Sequence, residues 1–171
     1  MGFKKWSVAV PDKKLAKSLA EECDVDPIIA LIACERGYCD PASLEEFISD
    51  EPCFDNPYEL ADIEKAAGII NEAVESGVKI AVYGDYDCDG VTATALLYGY
   101  LKSKGADCIY YIPDRLNEGY GMNMSAVDKL KALGTELIIT VDNGIASAKE
   151  ISYAETLGIA TVVTDHHLPQ G

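Results

Sequence analysis

The chain has 171 residues, 49% of them hydrophobic, with 29 acidic against 14 basic side chains and a net charge of −15. That length is enough for one sizeable core, burying roughly 70% of the surface an unfolded chain exposes. Composition argues against a membrane span, which needs about 20 consecutive apolar residues, against a secretory leader, and against a surface that grips a phosphate backbone through Lys and Arg alone.

Cysteine usage points the same way. The six cysteines (23, 34, 39, 53, 88 and 108) form no CxxC pair, and the only two histidines, His166 and His167, are adjacent. Zinc-finger spacing is absent, and packed, reduced thiols in a cytoplasmic protein with no membrane contact are expected.

Residues 1–77 read as a helical lead-in. Asp26-Pro27 and Asp40-Pro41 each set a capping carboxylate before a proline at the first helical position, and Gly37 closes the helix between them. A longer helix is expected from Tyr58 to Ser76, with Ile63, Ala66, Ala67, Ile70 and Ala73 or Val74 at helical spacing and Gly77 as its stop. This segment holds 17 acids against 7 bases and no constellation of catalytic type, which reads as a solvated or partner-facing surface.

From Val78 the pattern alternates. Strands are expected near 78–83, 108–112, 137–141 and 160–164, and helices near 91–104, 125–133 and 146–157, ended by Gly105, Gly134 and Gly158. Ser125 followed by Asp128 reads as a capping box. Right-handed crossovers make this an α/β fold, a parallel sheet flanked by helices over 78–171.

The strand ends carry the chemistry. The first strand runs into Gly84-Asp85-Tyr86-Asp87-Cys88-Asp89-Gly90, the third into Asp142-Asn143-Gly144 and the fourth into Asp165-His166-His167. Carboxyl ends of parallel strands share the edge where open α/β sheets place ligands, so these acids and imidazoles converge there. Two carboxylates about 5 Å apart repel by roughly 3 kcal/mol at an effective dielectric near 20, which calls for cations or protons. Oxygen donors with one or two imidazoles suit Mn²⁺ or Mg²⁺ and a phosphoester hydrolase. Residues 78–171 hold 12 acids against 7 bases; without Asp85, Asp87, Asp89, Asp142 and Asp165 the balance is 7 to 7. The surplus negative charge of this region therefore equals the expected site.

Each motif has two readings. An extended Asp85-x-Asp87-x-Asp89 would point three carboxylates the same way, between two glycines that permit close approach; the other reading is an acidic turn capping the next helix. The stretch lacks the downstream Glu of an EF-hand loop. Arg115, in Pro113–Gly121, would hold a phosphate, and Tyr120 would meet a base or sugar, or else Arg115 pairs with Asp114 or Glu118 in an ordered loop. Asp142 would bridge two metals. His166 is read as a ligand, His167 as facing substrate phosphate, and Asp165 as orienting backbone or imidazole.

GDYDCDG, PDRLNEGYG, TVDNG and TDHH, in that order and each after a strand, closely resemble the successive motifs of the DHH phosphoesterases, specifically of the RecJ-like single-stranded-DNA exonucleases. The segments VDPIIALIACERGYCDPASLEEFIS and ADIEKAAGIINEAVESGVKI resemble the N-terminal part of that family. The resemblance implies a DHH phosphoesterase domain at 78–171 behind a helical segment at 1–77. It implies two ions, Mn²⁺ or Mg²⁺, on Asp85, Asp87, Asp142 and His166, with Asp89, Asp165 and His167 in support and Arg115, Tyr120 and His167 toward substrate. It further implies in-line hydrolysis of single-stranded DNA from the 5′ end in recombination and repair, with a helicase or a single-strand-binding protein as partner.

The family pattern continues past Asp-His-His with a further metal-ligand Asp, a linker helix and a second domain. The expectation is therefore an N-terminal portion, weakly active or inactive by itself. The competing enzyme reading is a hydrolase of short oligonucleotides, cyclic dinucleotides or pyrophosphate, but Asp85 stands where RecJ-like members carry acid. A non-catalytic binding module of the same fold would not need intact acids and both histidines. A receiver-type domain would not need Asp165-His166-His167.

Overall fold

The structure, a computed structural model, describes residues 10, 12–50 and 54–169; Cys53 and residues 170–171 lie outside these. Contacts divide the chain into two compact units, Met1–Asp55 and Asn56–Gly171.

The first unit contains α1 (Lys13–Glu22), α2 (Pro27–Glu35) and α3 (Pro41–Ile48). Asp12, Asp26 and Asp40 cap them, Asp26 accepting from the Ile28 amide at 2.8 Å and Asp40 from Ser43 at 3.0 Å. Helix α1 is not among the elements that sequence delimits. It lacks the Asp-Pro signature, and its first turn carries Lys13 and Lys14, which oppose the helix dipole. Leu19, Ala20, Ala30, Ala33 and Leu44 form the core of this unit.

The second unit begins with a 3-10 turn (Pro57–Glu59) and α4 (Ile63–Glu75). The single helix expected over 58–76 is thus two pieces. Asn56 caps the turn through the Tyr58 amide, and Asp62 takes a left-handed conformation (φ 59°) before α4 starts. Sequence pattern ends the helical segment at 77. The compact units divide at 55/56 instead, because Ala66, Ile70, Ala73 and Val74 of α4 pack on the sheet.

There follow β1 (Ile80–Tyr83), α5 (Cys88–Ser103), β2 (Cys108–Tyr111), α6 (Met124–Ala132), β3 (Leu137–Val141), α7 (Ala148–Thr156) and β4 (Ala160–Thr164). The sheet is parallel throughout, in the order β2-β1-β3-β4. Side chains alternate across it, so Ile80, Val82, Leu137, Ile139 and Leu101 of α5 form one core layer. Ala81, Tyr83 and Ile138 form the other with Val127 and Leu130 of α6 and Ala154 of α7. Helices α4 and α5 therefore cover one face and α6 and α7 the other. The chain moves outward from β1 to β2, then back past β1 to β3 and β4. That reversal opens a crevice beyond the carboxyl ends of β1 and β3.

The expected capping box at Ser125 and Asp128 is not formed. Asn123 caps α6, accepting from the Ala126 amide at 2.8 Å, while Ser125 donates to Asn123 Oδ1 and Asp128 accepts from Tyr153. The asparagine two residues earlier wins because its carbonyl reaches the third amide of the helix.

Candidate metal centre

The two strands that flank the crevice end in acids. Beyond β1, Asp85 is fully buried; its Oδ1 accepts from the Tyr86 amide at 2.7 Å and its Oδ2 is buried with no partner. The next residues do not form an extended run. Asp87 Oδ1 accepts from the Gly90 amide at 3.0 Å and caps α5, which starts at Cys88 and places Asp89 in its first turn. The three carboxylates therefore do not share one direction, and the helix expected from 91 begins three residues earlier. Close approach explains the bracketing glycines. A Cβ on Gly90 would lie 2.7 Å from Asp85 Cβ and 2.8 Å from Asp85 O, and one on Gly84 would collide with Thr94 Oγ1.

Beyond β3, Asp142 adopts a left-handed backbone (φ 61°), uncommon outside glycine though tolerated by Asp, and its side chain is 6% exposed. Asn143, 1% exposed, donates from Nδ2 to Tyr83 O at 3.2 Å and to Val141 O at 2.9 Å, tying the ends of β1 and β3 together. Sequence reasoning assigns no role to Asn143, since its bonds depend on β1 and β3 being neighbours.

Beyond β4, Asp165 turns inward with a side chain 2% exposed and accepts from the amides of Ile145 (2.9 Å) and His167 (3.0 Å). Its Oδ1 also meets His167 Nδ1 at 2.7 Å. Burial works against ionisation of Asp165, but these donors hold its carboxyl below the ordinary range. The hydrogen bond to Asp165 in turn raises the His167 imidazole.

The acids and imidazoles converge. Ligand atoms of Asp142, His166 and His167 lie within 4.8 Å of one another, and so do those of Asp87, Asp89 and Asp142. Asp85 belongs to neither group, although Asp87, Asp142 and Asp89 are near enough to raise its carboxyl after burial and against the Tyr86 amide. Burial also raises Asp142, followed by Asp89 and Asp87, with both histidines only partly offsetting them. Asp89, more exposed, is held below its ordinary range by backbone amides, its own first, and by His166.

A divalent cation fits these donors. Both Asp142 oxygens are buried without a hydrogen-bond partner, yet His166 Nε2 stands 2.9 Å from Oδ1. The distance is short and the alignment is not that of a hydrogen bond. Two ligands about 2.1 Å from one octahedral ion, at right angles, are about 3 Å apart. Asp142 thus bridges two groups of donors, one purely carboxylate and one with two imidazoles.

One wall of the crevice is the loop after β2. Tyr111 Oη (2.6 Å), the Asp114 amide (2.8 Å) and Lys129 Nζ (2.7 Å) all donate to Glu118, which these bonds hold near a pKa of about 2. Arg115 pairs with neither Asp114 nor Glu118; its guanidinium lies over the Tyr86 ring, 5.2 Å from the centroid. Tyr120 reaches the histidines, its hydroxyl 3.3 Å from His167 Nε2.

Residues 79–171 match the DHH family, N-terminal domain. The chain belongs to the DHH family. Among curated DHH relatives, the single-stranded-DNA-specific exonuclease RecJ of Bacillus subtilis is 39% identical over 166 residues, 96% of this chain and 21% of that protein. RecJ of Thermus thermophilus is 35% identical over 167 residues, 96% of this chain and 24% of that one. A crystal structure of exonuclease RecJ bound to manganese superposes with a TM-score of 0.64 at 40% identity, covering 70% of this chain and 30% of that chain. The crystal structure of Thermus thermophilus RecJ in complex with Mn²⁺ gives 0.66 at 31% identity, with 95% and 22% covered. The chain thus spans about a fifth to a quarter of the length of these curated relatives. Among the described residues, no helix is long and apolar enough to cross a membrane.

Proposed function

We propose that this chain is the DHH catalytic portion of a metal-dependent phosphodiester hydrolase, a 5′ to 3′ single-stranded-DNA exonuclease of the cytoplasm acting in recombination and repair. The observation that carries the reading is the buried Asp142 carboxylate, without a hydrogen-bond partner and shared between two donor groups at the switch point of the sheet. Manganese or magnesium, as in the RecJ structures, suits oxygen donors with imidazole, and a pair of such ions at a phosphodiester would act as Lewis acids and neutralise charge on the attacking and leaving oxygens.

The residues divide the work. Asp142, His166 and Asp87 are the ligand set, and Asp85 joins it through its free buried Oδ2. Asp89 sits 3.9 Å from His166 Nε2 and supplements the negative field. Asp165 is a positioning residue. It orients the His167 ring and favours its protonated form, which can donate to a non-bridging phosphate oxygen. Arg115 and Tyr120 stand on the loop wall where a strand would pass, and Arg115, the only arginine between residues 78 and 171, supplies a fork for phosphate.

With a net charge of −15, the chain attracts a polyanion poorly, so capture of long strands by the complete protein falls to further basic surface or to partners such as a helicase or a single-strand-binding protein. The test is digestion of single strands labelled at the 5′ or the 3′ end, with Mn²⁺ present. Early release of the 5′ label as mononucleotide, abolished in Asp142→Asn, is expected. Release from the 3′ end, or preference for dinucleotides over long strands, would move the assignment to the oligonucleotide and cyclic-dinucleotide hydrolases.

A further inference from the structure

A cleft of about 450 Å³ opens beside His167, within the size range of small-molecule sites. It shares His167 and Asp165 with the site above, but none of Asp87, Asp89, Asp142 and His166 lines it. Tyr120 forms one wall, 55% exposed, with its ring edge-on to His167 (centroids 6.0 Å apart, 82°), and Met122 and Ile145 add apolar surface.

Two polar side chains in this cleft are unspent. Ser147 precedes α7 and Glu150 is the third residue of that helix, the spacing of a capping box. The box is not made. Ser147 bonds none of the α7 amides, no described residue hydrogen-bonds its hydroxyl, and it is only 8% exposed. Its Oγ faces Gly121, 3.8 Å from where a Cβ on that glycine would stand. Glu150 is half-buried and has no cation within ion-pair distance among the described residues. Capping α7 would have consumed both groups; instead both line the cleft.

We infer that this cleft receives the nucleobase of the nucleotide whose phosphate lies at the metal centre, with Tyr120 packing on the base and Ser147 and Glu150 reading its edge. The inference rests on the phosphodiester-hydrolase reading. The Glu150 carboxylate repels a phosphate from the cleft and accepts from N–H groups, so the occupant is the base and not a second phosphate. Every DNA base carries at least one N–H on its Watson–Crick edge, and the serine hydroxyl either donates or accepts. The pair therefore holds any of the four bases, as removal of successive nucleotides without regard to sequence requires. His167 then lies between base and phosphate, shared by both subsites.

The test is equilibrium binding to the 171-residue chain, with Mn²⁺ present, of dAMP and of 2-deoxyribose 5-phosphate, followed by amide chemical shifts. Wild-type protein is expected to bind dAMP about tenfold more tightly than the sugar phosphate, the size of one base contact. Amides of Gly121, Ser147 and Glu150 should move with dAMP and not with the sugar phosphate. Glu150→Ala should remove most of that ratio while leaving sugar-phosphate binding within about twofold, and Ser147→Ala, which loses no existing bond, should act in the same direction. Equal affinity for the two ligands in the wild type, or cleft amides that do not respond to dAMP, would overturn the base subsite and leave the hydrolase reading standing. Binding of neither ligand would overturn both.

Discussion

Two glycines of one helix should respond oppositely to the same substitution. Gly90 lies in the first turn of α5, where an added Cβ meets backbone as well as side chain: Asp85 Cβ at 2.7 Å, Asp85 O at 2.8 Å and Asp85 C at 2.9 Å. None of these is the free end of a flexible side chain, so α5 and the end of β1 must separate. Overpacking of this kind costs about 1–3 kcal/mol. Alanine's better helix propensity offsets up to about 1 kcal/mol of that, which at full offset leaves Gly90→Ala destabilised by up to about 2 kcal/mol. Gly99 sits in the same helix with nothing within 4 Å of its would-be Cβ. There the propensity acts alone, and Gly99→Ala should stabilise by about 0.5–1 kcal/mol. Urea denaturation of the three proteins without metal reads both values, with an unchanged slope as the check on two-state behaviour. Equal shifts of one sign in the two variants would refute the claim that close approach to Asp85 requires glycine at position 90.

Glu118→Gln should cost about 1 kcal/mol at pH 7, because Glu118 bonds Tyr111, Asp114 and a Lys129 that is 56% exposed and therefore partly screened. A depressed carboxyl contributes stability above its unfolded pKa near 4.3 and loses it as pH falls through about 2, so wild type and variant should converge in acid denaturation at pH 2. Asn143→Ala should cost about 1–3 kcal/mol in urea denaturation, since it strands two carbonyls at the ends of β1 and β3; a loss below about 0.5 kcal/mol would remove Asn143 from the scaffold of the site.

The sheet is legible in the sequence because its strands are short β-branched or aromatic runs, β1 stopped by Gly84 and β3 and β4 by Asp142 and Asp165, and β3 and β4 fall on the expected residues. The order β2-β1-β3-β4 follows from right-handed crossovers once α5 and the pair α6 and α7 lie on opposite faces. The acids at the strand ends are legible for the same reason: their positions are fixed relative to the strands. What local pattern does not reveal is direction. Asp87, Cys88, Asp89 and Gly90 read equally as an extended run or as a turn capping the next helix, and the Gly90 amide donating to Asp87 decides for the cap. Arg115 could not be placed from its acidic neighbours, because Lys129, eleven residues beyond Glu118, already occupies that carboxylate. Asn143 depends on a neighbour distant in sequence, the Tyr83 carbonyl at the end of β1.

The most direct test of the metal centre is thermal unfolding of wild type and Asp142→Asn across a Mn²⁺ titration. Asparagine keeps the shape and tolerates the left-handed backbone of residue 142 (φ 61°), so the variant should fold and, without metal, be no less stable than wild type. A ligand that binds only the native state adds RT ln(1 + [L]/Kd), about 2.7 kcal/mol at 100 times Kd. The wild-type midpoint should rise and saturate with Mn²⁺, and the rise should be largely lost in Asp142→Asn. Equal Mn²⁺ increments in the two proteins, or none in the wild type, would contradict a cation site built around this carboxylate.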